Sequence, residues 1–140
     1  MAQQMEKAGC LCGAIRFEVD REAIAGQAHC HCRDCQRSTG SAFASFCFVP
    51  ESGFRLIAGE PNSFEVTAES GGKVVRSFCG RCGSQLFSQV EVMPGVYFVK
   101  AGSFEDATWM TPAMALWCES AQPWAPVMGE GVAAFDRNPG

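Results

Sequence analysis

The segment HCHCRDCQ, residues 29–36, places three cysteines and two histidines within eight positions. Thiolates and imidazoles at that density are ligands for a soft or borderline metal ion such as zinc. Cys30 and Cys32 stand two apart, so in an extended segment they share one face. Cys35 follows Cys32 by three residues, about one helical turn, and comes back to the same place. Three sulfurs therefore converge from six consecutive residues, and the same alternation turns His29 and His31 away. The ordinary role of such histidines is hydrogen bonding or surface exposure; the sharper one is proton carriage from the far face. Three protein ligands with an exchangeable fourth position is the pattern of a catalytic zinc, whereas a structural zinc closes with four. Cys47 in SFCFV or Cys118 after Trp117 could complete a second four-thiolate set, but both look like small buried hydrophobes.

A second set is split along the chain. Cys10 and Cys12 precede the run AIRFEV and, if extended, present two sulfurs side by side. Cys79 and Cys82 sit in FCGRCGS, where Gly80 and Gly83 permit the tight turn of a zinc knuckle. Joined, the two pairs make a four-cysteine structural site that pins the start of one strand to a distant turn.

Nine cysteines also raise the possibility of disulfides. The odd count, the C-x-C and C-x-x-C neighbours and the polar opening MAQQMEKAG, unlike a signal peptide, favour metal chelation in a reducing, cytoplasmic setting. A net charge of -4 gives no electrostatic footprint for nucleic acid or an anionic membrane. No apolar run approaches the roughly 20 residues that span a bilayer. At 140 residues the chain is expected to form a single domain over 1–140, and its oligomeric state is open.

The elements that must position these ligands are short. In AIRFEV (14–19), Ile15, Phe17 and Val19 alternate with Arg16 and Glu18, the pattern of a half-buried strand. SGFRLIAG, KVVRSF, SQLFSQVEV, GVYFVKAG and AMALWC (113–118) are further short runs between Gly, Pro, Asn and Ser clusters, while SAFASFCFV (41–49) is rich in aromatics and too short to read as a helix. Only RDCQRSTG (33–40) reads as a helical turn, closed by Gly40. The sum is a mainly β, mostly antiparallel domain with aromatic side chains in its core.

Taken in order, GCLCGAIRFEV (9–19), HCHCRDCQRSTGSAF (29–43), SFCGRCGSQLF (77–87), KAGSFED (100–106) and SAQPW (120–124) resemble the glutathione-dependent formaldehyde-activating (Gfa) family, also called the centromere-protein-V/Gfa domain. The resemblance implies a β-tent fold, zinc-bearing antiparallel sheets with few helical turns, shared with a Rab-exchange chaperone family. It implies a structural zinc on Cys10, Cys12, Cys79 and Cys82 and an active-site zinc on Cys30, Cys32 and Cys35. It also implies a small thiol such as glutathione and a small aldehyde as reactants. The chain departs from the family at Ala115-Leu116, where members often carry His-Ile.

The chemistry expected of such a site is formation or cleavage of a C–S bond in a thiol–aldehyde adduct such as S-hydroxymethylglutathione, a carbon–sulfur lyase-type reaction. Three thiolates on a dication leave a net charge of about -1, a soft centre suited to a thiol ligand. Arg33 and Arg37 are candidates for glutathione carboxylates, and Ser38, Thr39 and Ser41 for hydrogen bonds to the adduct oxygen. Asp34 could orient a neighbouring ligand or cap the turn, and the cap is the favoured reading. The alternative is a non-catalytic, zinc-stapled protein-binding module; a zinc-ribbon nucleic-acid binder is opposed by the acidic balance.

Overall fold

A computed structural model of the chain describes residues 4–125 and 131–139. Among the described residues eleven strands form two sheets. The smaller contains β1 (Met5–Gly9), β2 (Arg16–Asp20) and β5 (Phe54–Ala58), all antiparallel. The larger has eight strands: β3 (Gly26–Cys30), β4 (Ala44–Pro50), β6 (Asn62–Thr67), β7 (Lys73–Phe78), β8 (Gln85–Val90), β9 (Val96–Lys100), β10 (Met114–Leu116) and β11 (Ala133–Ala134). Their spatial order is β11-β10-β3-β4-β9-β8-β7-β6. Among the described residues the one α-helix, α1, spans Arg33–Thr39, and four 3-10 turns punctuate the rest.

The chain is thus mainly β with few helical turns, as its short alternating runs predict. One edge differs: β10 pairs in parallel with β3 and with β11. A three-residue strand carries too little pattern to announce its direction. SAFASFCFV resolves as strand β4, in line with its aromatic content. β1, β3 and β6 have no clear sequence signal of their own; they form because a neighbouring strand offers a ladder.

The strict period of two in β4 explains the layout. Cys47 and Val49 point to one face of the large sheet, where with Val99 of β9 and Phe87 of β8 they pack on Ile15, Phe17 and Val19 beneath the small sheet. Phe17, Phe54 and Tyr97 stack through this core at 4.2–5.1 Å between ring centres. Phe46 and Phe48 point to the other face. Register carries that face across the sheet: Phe46 opposes Lys100 and Ala28, Phe48 opposes Phe98, Phe98 opposes Ser88, and Ser88 opposes Arg76. This second face, covered at one end by α1, is the floor of the site.

Candidate metal centre and cavity

The four-cysteine set is assembled from two turns. The extended geometry expected of Cys10 and Cys12 is replaced by a tight turn in which the Gly13 N–H donates to the Cys10 carbonyl at 3.2 Å, with Gly13 at φ +83°. Residues 10–15 cannot stay extended and still reverse the chain from β1 into the antiparallel β2. The knuckle at Cys79–Gly83 closes in the same way, the Gly83 N–H donating to the Cys79 carbonyl at 2.8 Å. Backbone N–H groups of Ile15 and Arg81 donate to the Cys10 and Cys79 sulfurs at 3.3 and 3.4 Å. Sulfur–sulfur separations are 3.6 Å (Cys10–Cys12) and 3.8 Å (Cys12–Cys79). A tetrahedral zinc with Zn–S near 2.3 Å asks for about 3.8 Å between sulfurs. The donor set and its spacing fit a metal ion.

Ser84 joins the two turns, a role that the sequence reading did not assign. Its hydroxyl accepts from the Leu11 N–H at 3.0 Å and lies 3.2 Å from the Cys82 sulfur. That hydroxyl, with the Ser84 backbone, pulls the Cys82 thiol down to about 5.

The three-cysteine set grows from a strand end and a helix start. Cys30 closes β3 on the floor face; Cys32 is the N-cap of α1, its sulfur accepting from the Cys35 N–H at 3.3 Å; Cys35 is buried in the first turn. Gly40 ends the helix in the left-handed region at φ +69°. All three sulfurs lie within 4.8 Å of one another, and among the described residues no other His, Cys, Asp or Glu joins them. The thiols cannot all ionise together. Hydrogen bonds from Cys30 and Cys32, with the nearby Lys100 and Arg76 charges, pull Cys35 down to about 2, while Cys32 and Cys35, together with burial, push Cys30 far up. Three mutually close thiols, one of them already anionic, again fit a soft cation.

His29 and His31 turn from the sulfurs onto Phe43, each 5.0 Å from its ring centre. His29 Nδ1 meets the Ser45 hydroxyl at 2.7 Å, and burial pushes both imidazoles down toward neutrality. Cys47 lies on the opposite face of the large sheet, fully buried, its thiol pushed up to about 12 by burial. The Cys118 thiol donates to the Ala115 carbonyl at 3.4 Å. All nine cysteines are free of disulfides.

The three sulfurs open onto a cavity of about 760 Å³ over the floor face. Arg76 and Lys100 project into it, only 9% and 6% exposed. Lys100 Nζ reaches Ser88 Oγ at 3.5 Å, and Arg76 Nη1 donates to Ser38 Oγ at 3.3 Å. Burial pushes the Lys100 ammonium down against the pull of Cys35, with Arg76 adding to the downward push. Neither cation was singled out from the sequence; a lysine and an arginine at floor positions of otherwise apolar strands, in VKAG and KVVRSF, were the available signal.

Of the polar residues expected to meet substrate, Arg33 and Asp34 line the cavity, and Arg33 is held by the Gln36 side chain. Arg37 is exposed and lies outside the lining. Ser38 donates to the Cys35 carbonyl and accepts from Arg76; Thr39 donates to the same carbonyl at 2.7 Å. The Ser41 N–H donates to Thr39 Oγ1. Gln36 organises the rim: it donates to the carbonyls of His31 and Ser120 and accepts from the Gln122 amide.

A mainly β chain carrying a four-cysteine set and a separate three-cysteine set beside a large cavity defines a protein with two sites able to hold metal ions. The model of the glutathione-dependent formaldehyde-activating enzyme family matches residues 5–120, and the chain belongs to that family. A crystal structure of a Rhodobacter sphaeroides protein superposes with a TM-score of 0.58 at 24% identity, over 76% of this chain and 91% of that one. At that identity the likeness speaks for the fold. Among the described residues no helix is long and apolar enough to cross a membrane.

Proposed function

We propose that the protein forms or cleaves a thiol–aldehyde adduct such as S-hydroxymethylglutathione, a carbon–sulfur lyase-type reaction, with zinc at both cysteine sets. The observation that carries this reading is the convergence of Cys30, Cys32 and Cys35, without a fourth protein ligand among the described residues, at a cavity that also buries Lys100 and Arg76. Zinc held by those three sulfurs would supply a soft centre that keeps a thiol ionised and polarises a carbonyl.

In the addition direction the thiol loses its proton, the sulfur pair forms the C–S bond, and the carbonyl π pair moves to oxygen, which takes a proton; cleavage is the reverse. Negative charge develops on that oxygen. Lys100 and Arg76 are cations fixed in a poorly hydrated place, where preorganised donors stabilise such charge most. Ser88 holds the ammonium and Ser38 the guanidinium, so neither need reorganise as the charge appears. Arg33 at the cavity is the candidate partner for a glutathione carboxylate. Ser38, Thr39 and Ser41 act in this scheme by fixing α1 and Arg76; Arg37 is left to the outer surface. Nine unbridged cysteines fit the reducing cytoplasm.

Cobalt-substituted protein tests the reading. Glutathione titrated to a few millimolar should shift the visible metal absorption of one of the two sites. A spectrum unmoved over that range would remove glutathione as the thiol.

A further inference from the structure

Formaldehyde is one carbon and one oxygen, and a site dedicated to it needs little room. The cavity at Cys30, Cys32 and Cys35 has a volume of about 760 Å³. That lies within the roughly 300–1,000 Å³ of pockets that enclose ligands of many heavy atoms. Its surface is also sorted by chemistry. Lys100 and Arg76, both buried, line it beside the sulfurs. The remainder of the floor is a shelf of three rings: Phe46 and Phe98 stack at 5.3 Å, and Phe48 meets them edge-on at 5.5 and 4.8 Å. Phe48 and Phe98 are only half-buried, so ring surface is left facing the cavity. Val90 and Met114 extend the apolar wall on either side. The shelf is continuous with the sulfurs, since Cys30, Cys35 and Phe46 belong to one buried cluster against which Phe48 and Phe98 pack.

Resting on the thiol–aldehyde reading above, we propose that the carbonyl compound taken by this site carries an apolar, ring-sized body laid on Phe46, Phe48 and Phe98. Its carbonyl group reaches the sulfurs and Lys100, where C–S bond formation proceeds with the same electron and proton balance as above. The charged thiol carrier stays toward Arg33, which begins α1 next to Cys32 and also lines the cavity. Glutathione, with two carboxylates and an ammonium, is a poor match for the ring shelf itself.

The test uses the zinc-loaded full chain and two measurements. In equilibrium binding, benzyl alcohol, which cannot react, should bind roughly 10- to 100-fold more tightly than methanol, the factor that burying one phenyl group is worth. In turnover with glutathione, benzaldehyde should exceed formaldehyde in kcat/KM. Phe98→Ala, which empties the shelf, and Val90→Trp, which fills the space above it, should each lower the benzaldehyde-to-formaldehyde ratio tenfold or more, chiefly through KM. Either variant suffices if the other unfolds. Benzyl alcohol binding no tighter than methanol, or formaldehyde preferred with the ratio unmoved by a folded variant, overturns the inference and leaves the thiol–aldehyde reading standing. Tight benzyl alcohol binding with neither aldehyde consumed upholds the apolar ligand class and overturns the reaction instead.

Discussion

Phe46 and Lys100 face each other directly across β4 and β9, with the Lys100 ammonium 5.0 Å from the centre of the Phe46 ring. The contact places a buried cation over an aromatic face, with the Cys35 sulfur as its anionic neighbour. Of all side chains on the floor of the cavity, this lysine is the one whose charge is hardest to explain by stability. An ammonium buried without a carboxylate disfavours folding, and its retention fits a site that needs positive charge.

Lys100→Met keeps the stem and removes the charge. Activity in adduct formation should fall by about 10²-fold or more, as on loss of one oxyanion-stabilising donor, while the melting temperature stays level or rises. Steady-state kinetics beside a thermal unfolding curve check this. Activity kept within a factor of three would remove Lys100 from the chemistry.

The two cysteine sets should respond differently to the loss of one sulfur. Cys79→Ser breaks a set that ties β1–β2 to β7–β8, and metal binding of this kind is worth on the order of 10 kcal/mol, as much as a small domain's whole stability. The expected product is insoluble or partly unfolded. Cys35→Ser should stay folded, hold one metal ion per chain in place of two, and lose more than about 100-fold in activity, since losing a hydrogen-bond partner of a metal ligand alone costs roughly 10- to 100-fold. Metal analysis of the purified proteins, with far-UV circular dichroism, separates the cases. Equal damage from both substitutions would contradict the division of roles.

Ser84→Ala takes away the hydroxyl that holds the Cys82 thiol down. The thiol should then titrate higher, and affinity at the four-cysteine set should drop by roughly 10- to 100-fold, as for a lost outer-shell partner. Competition with a chromophoric zinc chelator reads this directly, and an unchanged dissociation constant would show Ser84 to be a spacer.

Cys47 supplies a pH test. Burial holds its thiol near 12, against an ordinary value of 9.0. Above pH 9 the unfolded chain loses this proton first, so the unfolded state binds fewer protons and native stability falls as pH rises. The penalty grows by about 1.4 kcal/mol per pH unit once pH exceeds 9. Cys47→Ala, less stable than the parent near neutrality because of the cavity it leaves, should close that gap between pH 9 and 11 in denaturant titrations. A constant gap would mean that Cys47 ionises as freely in the native state as in the unfolded one.

The two cysteine sets, each able to hold a metal ion, were legible from the chain because their parts are local. Two cysteines two or three residues apart converge in almost any backbone they adopt, which is why Cys10 and Cys12 keep their sulfurs 3.6 Å apart in a turn that replaces the expected extended segment. The strands with clear alternation, such as the one bearing Phe17 and Val19, were equally plain, because a period of two is itself the physical cause of burial on one side. The family resemblance was carried by the same local motifs.

What only the tertiary structure decided is the cavity. Arg76, Ser88, Phe98, Lys100, Phe46 and Cys30 come from five strands, and nothing in any one of those strands states that they share a floor. Strand order and register are non-local: they depend on which ladders pair, including the parallel edge at β10 that three residues could not announce. A shift of one residue in β4 would exchange Phe46 and Phe48 for Cys47 and Val49 and turn the aromatic shelf into the core. The sulfurs were therefore written in the sequence, and the cavity around them was settled by the order and register in which the strands paired.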